Sequence, residues 1–221
     1  MAALFLTNGA LFANLIPRYP QIKADLGLGE STYGLALAAF PTGAIAAGLA
    51  AGVLVRRLGS ARLAVLGTIL TGVCVLAAAS APTLWGFAVA LFLAGAMDAL
   101  TDVAQNAHGL RVQRRYGRSI LNSFHAVWSI GAVTGGVMAA GAIALDLPRQ
   151  VHLGLSAVIF SGVAVVALRW CLPGPESPTA EEPASSGRHA PSVPAPERTR
   201  AWLVGTLAAL VLIATAGTVV E

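Results

Sequence analysis

Long apolar runs separated by short polar breaks dominate the chain. The runs occupy residues 2–16, 33–55, 63–81, 84–107, 120–145, 151–172 and 201–220. A helix rises 1.5 Å per residue, so about 20 residues cross a hydrocarbon layer of about 30 Å. Of the first six runs, all but the first reach that length or nearly do. The first would reach only about 22 Å. The short apolar core of a signal peptide competes with a span there, but it needs a positively charged lead, and Met1-Ala2-Ala3 supplies none. The pattern therefore predicts a first span whose natural start lies upstream of Met1. Turn chemistry marks the breaks: Ser31 is the expected N-cap of the second span, and Pro82 separates the third from the fourth.

Residues 173–200 break the pattern. Seven of the chain's twelve prolines fall there, with Glu176, Glu181, Glu182, Glu197 and several serines. Such a segment cannot bury enough apolar area to order itself, which predicts a solvated linker. The expected organisation is a six-helix transmembrane bundle over residues 1–172, the linker over 173–200, and a seventh span, complete or partial, over 201–221.

Composition fits an all-α transmembrane protein. Only 11% of residues are charged against 56% hydrophobic, and the mean hydropathy is +0.74. A single aqueous core could not hide that much apolar surface, whereas a bilayer accepts it. The net charge of +4 could suggest nucleic acid, but the placement of the basic residues points to membrane orientation instead. With the connections numbered from the N-terminus, the even ones and the linker hold eleven basic residues, among them Arg56, Arg57, Arg62, Arg111, Arg114, Arg115 and Arg118. The odd ones hold only Arg18, Lys23 and Arg149. Basic residues concentrate in cytoplasmic loops, so the N-terminus and the linker are expected in the cytoplasm of a cell-membrane (inner-membrane) protein. One lysine against thirteen arginines, with abundant alanine and glycine, suggests GC-rich, bacterial coding. Cys74 and Cys171 lack metal-ligand spacing and read as packing residues.

Two constellations carry candidate chemistry. In the fourth run Asp98, Asp102 and Asn106 follow i, i+4, i+8 on one helix face, with Gln105 beside them. Ionisable residues inside a span cost about 2.5–3.5 kcal/mol on insertion scales and usually face a bundle interior or an aqueous cavity. Both acids are expected away from lipid, facing the first and fifth runs. Asp102 admits two readings: a transport role, or a salt bridge to Arg56, Arg57 or Arg62. In the fifth run Asn122, His125 and Ser129 share a face, and His125 lies at about the depth of Asp102 on a neighbouring antiparallel helix. A histidine beside a carboxylate can exchange a proton near neutral pH, so Asp102 and His125 form the candidate proton-coupling pair. The alternative is a histidine that only bonds a neighbouring helix. Gly48-x-x-x-Gly52 and Gly131-x-x-x-Gly135, followed by Gly136, predict close helix packing and no chemistry.

The segment Gly52-Val53-Leu54-Val55-Arg56-Arg57-Leu58-Gly59-Ser60-Ala61-Arg62 resembles the cytoplasmic loop signature of the major facilitator superfamily, G-x-x-x-D-R-x-G-R-R. Gly52, Arg57, Gly59 and Arg62 match it, while Arg56 stands in the usual place of aspartate. The resemblance implies a charged latch at those four residues, with any acidic member coming from elsewhere. Asp102–Asn106, Ser123–Gly131 and Asn8-Gly9 also resemble a bacterial branch distantly related to sugar permeases of the fucose type. The likeness implies twelve spans in two six-helix halves, each built of two three-helix inverted units, and alternating access. It places Asn8, Asp98, Asn106 and Asn122 along the substrate path. Antiporters of the superfamily carry a glycine-proline motif in the fifth span, where this chain has no proline.

The expected function is secondary active transport of a small polar solute, sugar-like or another metabolite, coupled to protons as a symporter and requiring a missing C-terminal half or a second subunit.

 It enters here as a truncated half. No phosphate-cradling loop, metal spacing or nucleophile triad calls for a cofactor or for enzyme chemistry. Two alternatives stand beside it. One is a membrane-embedded interaction or half-transporter subunit. The other is a seven-helix photoreceptor, which needs a lysine in the last span that residues 201–220 do not contain.

Overall fold

A computed structural model describes residues 1–174; the expected linker beyond that point and the seventh span lie outside the described residues. Those described are helical throughout. They form α1 (Ala2–Leu15), a 3-10 turn (Ile16–Arg18), α2 (Tyr19–Asp25), α3 (Glu30–Leu37), α4 (Ala39–Leu58), α5 (Ser60–Ser80), α6 (Leu84–Tyr116), α7 (Leu121–Ala144) and α8 (Arg149–Leu168). Five stretches among them are long and apolar enough to cross a membrane: Glu30–Leu58, Ser60–Ser80, Leu84–Tyr116, Leu121–Ala144 and Arg149–Leu168. α1 is shorter, as its apolar run predicts.

Local chemistry sets the boundaries. The second run is broken between α3 and α4 because Pro41 has no N–H to offer the Leu37 carbonyl. Past it, the Thr42 amide and hydroxyl both donate to Ala38 O, at 3.2 and 2.7 Å. Gly29, rather than the expected Ser31, precedes α3, and no side chain caps it. Ala81 turns extended before Pro82, and Thr83 caps α6 by accepting from the Gly86 amide at 3.2 Å. The expected end of the fourth run at residue 107 is too early. α6 continues to Tyr116, where Gly117 closes it in a left-handed conformation (φ 70°) beside Arg114 and Arg115. Those two arginines complement the negative end of the helix dipole.

α1 packs on α7, α4 on α6, and α5 lies between α6 and α8. The first two crossings are built alike. A Cβ at Gly9 would overlap the Trp128 carbonyl, and one at Gly131 would overlap the Leu6 carbonyl. A Cβ at Gly43 would meet the Phe92 carbonyl, and one at Gly95 the Phe40 carbonyl. In both pairs each glycine receives the carbonyl three residues before its partner glycine. Gly135 extends the first seam by a turn against Ala10. Gly48 and Gly52 touch no neighbouring helix, so of the two expected glycine packing motifs only the second is used this way.

The core lies between these helices, with Leu4, Phe5, Leu11, Phe87, Leu91 and Leu153 inaccessible. Outward faces are apolar as well: Leu49 is 87% exposed and Leu35 76%, an arrangement lipid accepts and water does not. The connections collect at two ends. Arg56, Arg62, Arg111 and Arg169 line one cavity at one end. At the other, Arg149 donates to Ala79 O at 2.6 Å and pairs with Asp25, while Arg18 donates to Leu147 O at 3.0 Å. The even and odd connections thus separate as the arginine count requires.

Because Gly131 meets backbone that cannot yield, Gly131→Ala should lower helix-bundle stability by about 1–3 kcal/mol. Gly136 has open space around it, so Gly136→Ala should leave stability unchanged or slightly raised. Thermal unfolding in detergent compares the two; equal effects would contradict the seam.

Candidate functional site

α6 carries Asp98 and Asp102 near its middle and Asn106 one turn further on. Asp98 is half-buried, Asp102 exposed and Asn106 half-buried. The Asn106 amide donates to Asp102 Oδ1 at 3.0 Å and to Asp102 O at 2.9 Å. Its carbonyl oxygen lies 3.1 Å from His125 Nε2 on α7. An amide oxygen only accepts, so His125 Nε2 carries the hydrogen. The result is a three-member chain from imidazole through amide to carboxylate. Expected as a pair, Asp102 and His125 are bridged by Asn106 rather than in direct contact. His125 also sits edge-on to the Phe5 ring of α1 at 5.4 Å, and Phe5 stacks on Phe124 at 5.3 Å. This fixes the imidazole from the α1 side.

The remaining expected residues scatter around this chain. Asp98 makes no hydrogen bond or ion pair among the described residues. Asn122 is exposed one turn from His125. Asn8 is buried, and its side-chain oxygen has no hydrogen-bond partner among the described residues. Gln105, beside the acids on α6, is buried and donates to Leu4 O at 2.8 Å, tying α6 to α1. Asp102 forms no ion pair with Arg56, Arg57 or Arg62 among the described residues. Of the latch residues, Gly52, Arg57 and Arg62 are exposed, and Gly59 turns the chain from α4 into α5 at φ 81°.

Two buried polar clusters escape a reading by single faces. Asn14 on α1 donates to Ala10 O at 2.8 Å. Its carbonyl oxygen accepts from His152 Nε2 at 2.7 Å and from the Ser156 hydroxyl at 3.4 Å, both on α8. The other, at the arginine-rich end, centres on His108 of α6. Its Nε2 accepts from the Leu172 amide at 3.1 Å, so Nδ1 carries the hydrogen toward Ser60 Oγ at 2.9 Å. The signal was present in the sequence for Asn14, His152 and Ser156, each a polar interruption of an apolar run, whereas Ser60 and His108 fall between runs. Cys171 just beyond α8 is half-buried, and burial pushes its thiol up, consistent with packing rather than reactivity. No group of three or more metal-binding side chains occurs among the described residues.

Five helical stretches long and apolar enough to cross a bilayer define a multi-pass membrane protein. Residues 1–220 match the model of the Major Facilitator Superfamily, and the chain belongs to that family of transporters, not to an enzyme family. It is 34% identical over 163 residues to the uncharacterized transporter y4wD of Sinorhizobium fredii, covering 74% of this chain and 43% of that protein. It is 31% identical over 133 residues to an uncharacterized MFS-type transporter of Yersinia pestis, covering 59% of this chain and 34% of the relative. The chain spans less than half the length of these curated relatives.

Asn14→Ala would leave the buried His152 and Ser156 without their acceptor, at a cost of about 1–3 kcal/mol. Asn122→Ala at an exposed position should change stability by less than about 0.5 kcal/mol. Thermal unfolding of both variants checks the contrast.

Proposed function

We propose that this chain supplies one half of a proton-coupled secondary transporter for a small polar solute, with Asp102, Asn106 and His125 as its proton-responsive element. The observation that carries the reading is the hydrogen-bonded chain across α6 and α7. It joins the two residue types able to hold a mobile proton near neutral pH. Asp98, one turn from Asp102, and Asn122, one turn from His125, extend a polar surface along which a hydroxyl-rich solute could bond. A sugar-like solute and the distant relation to fucose-type permeases belong to this proposal. So do alternating access and a second half, either within one polypeptide or from a separate chain.

The matched glycine crossings support a repeat in which α1 corresponds to α6 and α4 to α7, the helix order kept and the topology in the membrane inverted. We place the arginine-rich end, the N-terminus and the linker in the cytoplasm on the strength of the basic-residue excess. In that orientation a membrane-impermeant thiol reagent labels Gln150→Cys in intact cells and Arg115→Cys only once the cells are permeabilised; the reverse pattern would overturn it.

In the complete transporter, reconstituted with an imposed pH gradient, Asp102→Asn and His125→Gln should each abolish solute accumulation while sparing solute exchange. Survival of accumulation in both variants would make the chain structural. The second reading, a membrane-embedded interaction subunit, would be favoured by accumulation-independent capture of a partner subunit with no solute flux at any gradient.

A further inference from the structure

The arginine-rich end encloses a cavity of about 700 Å³ that the proton chain does not use. Arg56 reaches it from α4, Arg62 from the first turn of α5, Arg111 from α6, and Arg169 from the residue after α8. The Arg111 guanidinium donates to Pro173 O at 2.9 Å, so the other three are the groups available to a ligand. None of those three forms an ion pair among the described residues. The cavity also borders the start of α5, where Gly59 offers no capping side chain and no acidic residue occupies the first turn. The positive end of that helix dipole adds to the arginines instead of opposing them. Where the loop signature would place an aspartate, Arg56 adds one more positive charge. Three guanidiniums around one cavity repel each other unless an anion enters.

The rest of the wall decides which anion. Leu58, Leu168 and Leu172 line the same cavity, and Leu58 is 43% exposed beside the outward apolar face of α4. A free phosphate would satisfy the arginines and leave this apolar wall wet. A phospholipid supplies a phosphodiester for the planar guanidinium forks and an acyl chain for the leucines. The cavity also sits at the turn from α4 into α5 and just beyond the end of α8, where apolar helices give way to basic connections.

We propose that this cavity is a binding site for an anionic phospholipid, held through its phosphate by Arg56, Arg62 and Arg169. Basic pockets between transmembrane helices suit anionic headgroups, and each arginine near such a surface is worth about fivefold in affinity. The site is independent of the proton-coupling reading, because it requires neither Asp102 nor His125.

Native mass spectrometry of the purified chain in detergent, titrated with phosphatidylglycerol or phosphatidylcholine, tests it. Phosphatidylglycerol should bind at least roughly fivefold more tightly. The triple variant R56Q/R62Q/R169Q should lose about 100-fold in that affinity. R56K/R62K/R169K, which keeps the charge, should retain part of it. A control triple, R114Q/R115Q/R118Q, removes equal charge at the same end outside the cavity and should change affinity less than about twofold. Equal losses in the two glutamine triples would reduce the effect to surface charge and overturn the site. So would equal binding of the two lipids by the unmodified chain. Displacement of the lipid by millimolar inorganic phosphate would assign the cavity to a free anion instead. If the glutamine triple does not fold, Arg169→Gln alone should still weaken phosphatidylglycerol about fivefold, and an unchanged affinity there would overturn the proposal.

Discussion

Backbone-to-backbone approach at a few glycines is the constraint on which the rest of this structure depends. Inside a bilayer the hydrophobic effect does not draw one apolar helix to another, so van der Waals contact and close Cα approach must hold them. Gly9 and Gly131 bring α1 against α7, and Gly43 and Gly95 bring α4 against α6. A methyl group at any of the four would meet a main-chain carbonyl that cannot rotate away. The polar chemistry inherits its geometry from these seams. Phe5 rides on α1 into contact with Phe124 and His125 on α7, which sets the imidazole at the level of Asn106.

The polar contacts divide by burial. Asn14, His152, Ser156, Gln105 and His108 are enclosed and bonded across helices; removing one partner strands another in an apolar medium. Asp102, Asn122 and His125 lie on an exposed face instead. Groups that remain reachable can exchange protons and meet a solute, whereas the enclosed ones fix helix positions. The two kinds of site therefore use similar residues for different physical ends.

Much of this was legible in the chain. The apolar runs located the helices, and the arginine count separated the connections between two ends. The i, i+4, i+8 spacing put Asp98, Asp102 and Asn106 on one face. What spacing could not supply was the contact across helices. Estimates of depth put Asp102 and His125 at the same level, yet a rise of 1.5 Å per residue gives no lateral distance, and Asn106 turned out to stand between them. The paired glycines were equally hidden. Gly9, Gly43 and Gly95 are single residues without a G-x-x-x-G partner on their own helix, and their pairing exists only between helices. The extension of α6 past residue 107 was missed because its last turns are polar and basic. Those turns continue the helix on backbone hydrogen bonding without apolar periodicity.

The chain from imidazole to carboxylate depends most directly on the orientation of one ring. Nitrogen-15 spectra of histidine-labelled protein in bilayers, assigned to His125 by substitution, report which ring nitrogen carries the hydrogen when the ring is neutral. The hydrogen-bonded chain predicts the Nε2–H tautomer in the unmodified protein and a mixture of tautomers in Asn106→Leu. A dominant Nδ1–H form in the unmodified protein would contradict it.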